Sequence, residues 1–178
     1  RALPDVSCPV IYDSEALSAL RKALQRRVSG TPVPDSDAAA WLREETGLGA
    51  GWPAVFTVSP LEHRHFVEAG IRNVSVVGHA VELAPTAADY DSRRSILFVG
   101  AFSPESPNED AARFLLQDVL PALRGTAADE APVVIAGARI PDALRAAGSP
   151  GVVFRSDVAD LTSVYEDARV FVAPTRFS

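Results

Sequence analysis

Four short stretches carry groups suited to holding an anion: Gly100-Ala101-Phe102-Ser103, Gly137-Ala138-Arg139, Arg155-Ser156-Asp157-Val158 and Pro174-Thr175-Arg176. Each follows a short apolar run. Together they offer backbone amides, hydroxyls and arginines, and two of them open on a glycine, where the backbone can turn sharply or approach a ligand closely. A diphosphate needs such donors around its oxygens. Taken singly, each stretch is also an ordinary turn. Other chemistries lack their residues. No G-x-G-x-x-G follows a strand, no G-x-x-x-x-G-K-[ST] occurs, and no G-x-S-x-G elbow is present. Cys8 has no base nearby in sequence, and no His, Cys or carboxylate cluster has metal-ligand spacing. His63 and His65 are two apart on an expected helix and so do not share a face. Gly47-Leu48-Gly49-Ala50-Gly51 follows a helix rather than a strand, the reverse of a nucleotide loop, and reads as a plain turn.

The elements that must position the four stretches are legible from hydrophobic pattern. Ile96 to Val99 and Pro132 to Ala136 are unbroken apolar runs, as expected of parallel strands covered on both faces. Val152 to Phe154 and Arg169 to Ala173 complete a set of four. Between them, Ser106-Pro107-Asn108-Glu109 spells a helix start in which Ser106 caps and Glu109 reaches back to the cap amide. Ala112, Leu115, Leu116, Val119 and Leu123 then give one apolar face to about residue 124. Shorter helices are expected over about 141–147 and 160–167, the latter with Leu161, Val164 and Tyr165 inward. The order β-α-β-α-β-α-β with short links predicts a doubly wound parallel sheet whose ligands collect at the carboxyl ends of the strands.

The first part of the chain alternates in the same way. A short strand ending at Tyr12 precedes a helix capped by Asp13 or Ser14, running to about Arg27 with Leu17, Leu20, Ala23 and Leu24 inward. Its basic residues, Arg21, Lys22, Arg26 and Arg27, read as a solvated face. A short helix around Trp41 and Leu42 (38–46), a strand over 54–58, a helix opened by Ser59-Pro60-Leu61-Glu62 and stopped at Gly70, and a strand over 73–77 follow. His79 sits at the turn after that strand and reads as a hinge residue satisfied by local backbone. The polar stretch 83–94 reads as a linker, dividing the chain into 1–82 and 95–178.

Bulk composition sets limits on partners. The 178 residues are 47% hydrophobic and 22% charged, which suits a globular protein with a sizeable core. A net charge of −6 argues against nucleic acid, whose phosphates demand a basic face. The single cysteine forbids an internal disulfide and points to a reducing compartment, the cytoplasm. No apolar run approaches the ~20 residues of a membrane span. The chain has no methionine and stops soon after an apolar run, which predicts a piece of a longer protein.

In their order, Ile11-Tyr12-Asp13-Ser14-Glu15, Phe56-Thr57-Val58-Ser59-Pro60-Leu61-Glu62, Val76-Val77-Gly78-His79-Ala80-Val81-Glu82 and Ile96-Leu97-Phe98-Val99-Gly100 with Pro107-Asn108 form a recognisable series. Val133 to Gly137, Gly151 to Phe154 and Ala168 to Pro174 continue it. The series resembles the family 4 glycosyltransferases of the GT-B fold, along nearly the whole chain. The resemblance implies an α/β protein of two Rossmann-like halves, with residues 1–82 from the acceptor-side domain and 95–178 from an incomplete donor domain. It implies a retaining transferase that takes its sugar from a nucleotide-diphosphate sugar. The acceptor is expected to be a carbohydrate or lipid-linked molecule of a cell-envelope glycan or polysaccharide. No metal or other cofactor is implied, and peripheral membrane association of the whole protein is compatible with it. Carried over residue by residue, the donor contacts are Gly100, Ala101, Phe102 and Ser103 near the diphosphate, with Gly137 and Arg139 beside them. Ser156, Asp157, Val158 and Leu161 frame the nucleobase, and Pro174, Thr175 and Arg176 lie near the donor sugar and phosphate. The family's Arg/Lys pair after the first strand has no lysine here, its Asn-Gly-Val-Asp turn reads His79-Ala80-Val81-Glu82, and Ser156 replaces a glycine. Its E-x7-E pair is expected beyond Ser178 and the acceptor-side residues before Arg1, so no catalytic residue is named and the chain alone is expected to be inactive. A sugar-nucleotide epimerase of the same fold and a non-catalytic module are the alternatives.

Overall fold

The computed structural model describes residues 8–83, 85 and 87–177. The chain divides into two compact units, one up to residue 82 and one from residue 83 onward.

The first unit holds three short strands, β1 (Tyr12–Ser14), β2 (Val55–Thr57) and β3 (Val74–Val76), paired in that order and all parallel. Helices α1 (Ser18–Val28), α2 (Asp35–Gly47) and α3 (Pro60–Glu68) connect them. Leu17, Val55 and Phe66 form the core, with Tyr12, Leu20, Leu42, Ile71 and Val74 against it. Pairing with β2 draws Tyr12–Ser14 into the sheet, so α1 begins at Ser18, later than a cap at Asp13 or Ser14 would set it. Its first amides are satisfied from elsewhere in the chain. Leu17 N–H donates to Glu62 Oε1 at 2.9 Å, and Ser18 and Ala19 N–H donate to the two carboxylate oxygens of Glu45 at 2.8 and 2.7 Å. Two carboxylates thus meet the positive end of the helix dipole. Leu24, expected inward, is exposed. Helix α2 starts at Asp35, where Asp35 and Asp37 favour the first turn. Helix α3 starts as expected: Ser59 Oγ accepts from Glu62 N–H at 3.2 Å, Pro60 takes the first position, and Gly70 lies just past the end with φ +88°. The glycine-rich run after α2 is a turn.

The second unit is built on a four-stranded sheet, β4 (Ser95–Val99), β5 (Val133–Gly137), β6 (Val152–Ser156) and β7 (Ala168–Phe171), in the order β6-β5-β4-β7 and parallel throughout. Helix α4 (Pro107–Phe114) continues through a π-helical turn, Leu115–Val119, into α5 (Leu120–Ala122); α6 (Asp142–Ala146) and α7 (Thr162–Asp167) complete the crossovers. The apolar runs behave as the pattern requires. One face of the sheet carries Ile96, Phe98, Val133 and Ile135 against Ala111, Ala112, Leu115 and Leu144. The other carries Leu97, Val134 and Ala136 against Val164 and Ala168.

The helix expected to run unbroken to residue 124 is interrupted. Pro121 has no N–H for the carbonyl four residues before it, and its ring crowds that carbonyl. The ladder widens instead, and Leu120 N–H donates to the carbonyl of Leu115, five residues back. Tyr165 was expected inward; it is exposed, with its ring stacked on Phe171 at 6.2 Å between centroids.

Candidate functional site

In the second unit the chain starts on a central strand, adds β5 and β6 on one side, then crosses to place β7 on the other. The sheet therefore changes direction between β4 and β7, and because all four strands are parallel their carboxyl ends share one edge. Such a switch point is where open α/β sheets leave a crevice. Gly100 to Ser103 leaves β4 on one side of it, and Pro174 to Arg176 follows β7 on the other.

The rim is stitched by backbone bonds from strand to strand. Gly100 N–H donates to the Ala136 carbonyl at 3.0 Å, Phe102 N–H to the Ala138 carbonyl at 3.0 Å, and Asp157 N–H to the Gly137 carbonyl at 2.9 Å. Gly137 has φ +150°, and a Cβ built there would lie 1.7 Å from the Gly100 carbonyl oxygen, so only glycine fits. Among the described residues, three non-glycine positions adopt positive φ, and all lie in these loops: Glu105 at 58°, Arg139 at 58° and Asp157 at 52°. Sparsely populated backbone held by its surroundings tends to collect at ligand sites.

The expected contacts separate into groups. Arg139 bends over the rim: its Nε donates to the Phe102 carbonyl at 3.1 Å and its N–H to Asp157 Oδ1 at 3.3 Å, so the loops after β4, β5 and β6 are tied together. Arg176 lies at the switch. Its guanidinium makes a two-point ion pair with Asp110 on α4 and covers the Phe114 ring at 5.1 Å. The hydrogen bonds it donates to Asp110 push the Arg176 pKa up, which keeps it cationic. Ser156 takes a hydrogen bond from the Arg145 guanidinium. Phe102 is 1% exposed and packs on Phe98, which leaves its carbonyl rather than its ring at the rim. Val158 and Leu161 pack on the Leu97, Val134 and Val164 cluster. Ala101, Ser103 and Thr175 are exposed, whereas Gly100 and Pro174 are half-buried. The last residue of the Pro174 to Ser178 stretch, Ser178, lies outside the described residues.

Three contributors were not singled out from sequence. Asn108, in the first turn of α4, donates through Nδ2 to the Ala101 carbonyl at 2.9 Å and holds the loop after β4; a Cβ on Gly100 would come within 2.9 Å of its side chain. Asp110 binds Arg176 across 66 residues, and Arg145 binds Ser156. The place of Asn108 beside the helix start was a signal; the other two are long-range pairings without one. Glu109 does not complete the expected reciprocal cap. Ser106 Oγ does accept from Glu109 N–H at 3.2 Å, but the Ser106 amide is taken by the Ser103 carbonyl at 3.0 Å. The Glu109 carboxylate instead accepts from Glu105 N–H at 3.2 Å and pairs with Arg113 at 2.8 Å.

In the first unit, His79 is exposed and its ring makes no hydrogen bond to any described residue, so the expected local backbone partner is missing. No group of three or more His, Cys, Asp or Glu residues that could hold a metal ion is found among the described residues, and none of their helices is long and apolar enough to cross a membrane.

The rim thus offers backbone and cationic groups at a switch point. Residues 93–178, which contain the whole four-stranded sheet, match the family model of the glycosyl transferases group 1. No curated protein matches the chain.

Proposed function

Because residues 93–178 match the family model of the glycosyl transferases group 1, we propose that the whole protein transfers a sugar from a nucleotide-diphosphate sugar, with retention of configuration, and that the rim at the β4/β7 switch point holds the donor. The single observation that carries this reading is the placement of the Gly100 and Pro174 loops on either side of the point where the sheet reverses, with the Arg176 cation beside it. The acceptor in this reading is a glycan or lipid-linked sugar, and no metal takes part. A diphosphate would meet the exposed Ala101 and Ser103 of the loop after β4, which Asn108 keeps in place, and Arg176 on the opposite side. The Asp110 pair holds that guanidinium in one position, so the donor phosphates either share it or displace the carboxylate. Residues 1–82 would belong to the acceptor-side domain and 83–94 to the linker. No residue of the chain is assigned a catalytic role, and the chain alone is expected to bind donor without turning it over.

The test is calorimetric titration of the chain with UDP, GDP and TDP. Saturable binding of at least one nucleoside diphosphate, weakened by substitution of Arg176, is the expected result. Absence of binding by all three, together with no sugar transfer by the full-length protein, would reject the proposal.

A further inference from the structure

The loop leaving β5 grips one residue in each neighbouring loop, and grips each in two directions. Phe102, after β4, donates its N–H to the Ala138 carbonyl at 3.0 Å, and its own carbonyl accepts from Arg139 Nε at 3.1 Å. Asp157, after β6, donates its N–H to the Gly137 carbonyl at 2.9 Å, and its Oδ1 accepts from the Arg139 N–H at 3.3 Å. Residues 137–139 therefore form a bridge, and Arg139 takes part on both sides of it. The bridge runs through backbone that side chains avoid, with φ +150° at Gly137, +58° at Arg139 and +52° at Asp157. Such conformations persist only where the surroundings fix them.

Phe102 is buried with its ring on Phe98, so its anchoring serves the exposed residues beside it, Ala101 and Ser103. On the other side Asp157 lies between Ser156 and Val158, the pair expected to frame the nucleobase. We infer that Arg139 is a positioning residue rather than a phosphate ligand. Its Nε–H bond to Phe102 ties the loop proposed for the diphosphate to the loop proposed for the base, so a donor seated on one is aligned for the other. This rests on the donor reading of the rim. A nucleoside diphosphate spans both loops, and loops already fixed to one another need no ordering when it binds. In this role the Nε–H matters and the positive charge does not. The two can be separated chemically. Glutamine carries an N–H on the same side-chain carbon that bears the arginine Nε, whereas lysine keeps the charge but has a methylene there.

The experiment is calorimetric titration with UDP, GDP and TDP of the 178-residue chain, unsubstituted and as Arg139→Gln and Arg139→Lys. Arg139→Lys should weaken the nucleoside diphosphate that binds by about tenfold, the scale of one hydrogen bond from a charged donor, and Arg139→Gln by about twofold or less. A second pair cuts the other side of the bridge. Asp157→Ala should weaken the same nucleotide by about threefold or more, whereas Asp157→Asn, which keeps the acceptor oxygen, should not. If Arg139→Lys does not fold, the Asp157 pair carries the test. Arg139→Lys binding as tightly as Arg139→Gln, or more tightly, overturns the inference, because charge or neither group then governs the site. Asp157→Ala binding as tightly as Asp157→Asn does the same. Either of these results with the unsubstituted chain still binding nucleotide overturns this role of Arg139 alone. Failure of the unsubstituted chain to bind any of the three overturns the donor reading and this inference with it.

Discussion

The two sheets end their strands differently. In the second unit the exits are already occupied by the protein's own bonds: Arg139 is spent on the Phe102 carbonyl, Arg145 on Ser156 and Arg176 on Asp110. In the first unit Glu45 and Glu62 meet the amides at the start of α1, and two buried side-chain atoms, Arg21 Nε and Glu62 Oε2, have no hydrogen-bond partner. The strands differ as well. β4 and β5 are five residues each and buried over their first four, whereas β3 is three residues and mostly exposed. A rim held by cross-strand bonds is preorganised and needs a ligand only to exchange partners. The contrast is between strand exits closed by the protein's own bonds and a helix start that leaves a buried donor and a buried acceptor unpaired.

The largest effect should come from Gly137→Ala. The added methyl meets the Gly100 carbonyl oxygen, so the β4 and β5 exits must separate. Destabilisation of several kcal/mol, or failure to fold, is expected in denaturant titration of the chain, a scale set by overpacking against strained backbone. Retention of full stability would break the idea of a stitched rim. Next, Phe98→Ala in the second core and Phe66→Ala in the first should each cost about 3–5 kcal/mol, since Phe98 is 1% and Phe66 0% exposed. Monitored separately, by Trp41 and Trp52 fluorescence for the first unit and by amide exchange for the second, each loss should stay chiefly within its own unit. Equal loss in both would show that the two regions do not behave as separate cooperative units.

Smaller effects sharpen the account of the rim. Arg176→Ala should weaken nucleoside diphosphate binding by about 1–3 kcal/mol, the range for a charge-assisted hydrogen bond. Asp110→Asn, which keeps the shape but removes the competing charge, should leave binding equal or tighter. Weaker binding in Asp110→Asn would mean that the carboxylate positions the arginine rather than competing for it. The smallest effect concerns pH. Hydrogen bonds from the Thr162 hydroxyl and amide, at 2.6 and 2.9 Å, hold the Asp160 carboxyl below its ordinary value. A depressed folded-state pKa contributes stability above the ordinary carboxylate value, and that contribution is lost as pH falls through the folded one. Asp160→Ala should therefore lower the melting temperature slightly at neutral pH and flatten its decline below about pH 4, the ordinary carboxylate pKa. An unchanged acid limb would remove Asp160 from the start of α7.

Much of this architecture was legible because it is written in short-range pattern. The runs at Ile96 to Val99 and Val133 to Ala136 state their double-sided burial outright, and the Ser59 and Ser106 caps are local grammar. What escaped the sequence is long-range. The carboxylates that start α1 come from 26, 27 and 45 residues away, and the partner of Arg176 from 66. Neither has a periodicity to betray it. Phe102 was assigned to the donor loop by position, and only the packing against Phe98 reveals that its ring belongs to the core. The first strand was misplaced by a few residues because register with β2, not local hydrophobicity, decides which residues pair.

The wide turn at Leu115–Val119 has a consequence for how this crossover can vary. One surplus residue in a helix advances everything after it by about 100°. The segment before it places Ala111 and Ala112 on the sheet, and the segment after it aims Leu120 and Leu123 at the same core. The extra residue acts as a phase shifter that brings two otherwise mismatched apolar stripes into line. Removing a single residue there would regularise the helix yet swing Leu120 and Leu123 toward solvent, so a deletion that improves local geometry should damage the protein more than most substitutions in the same turn.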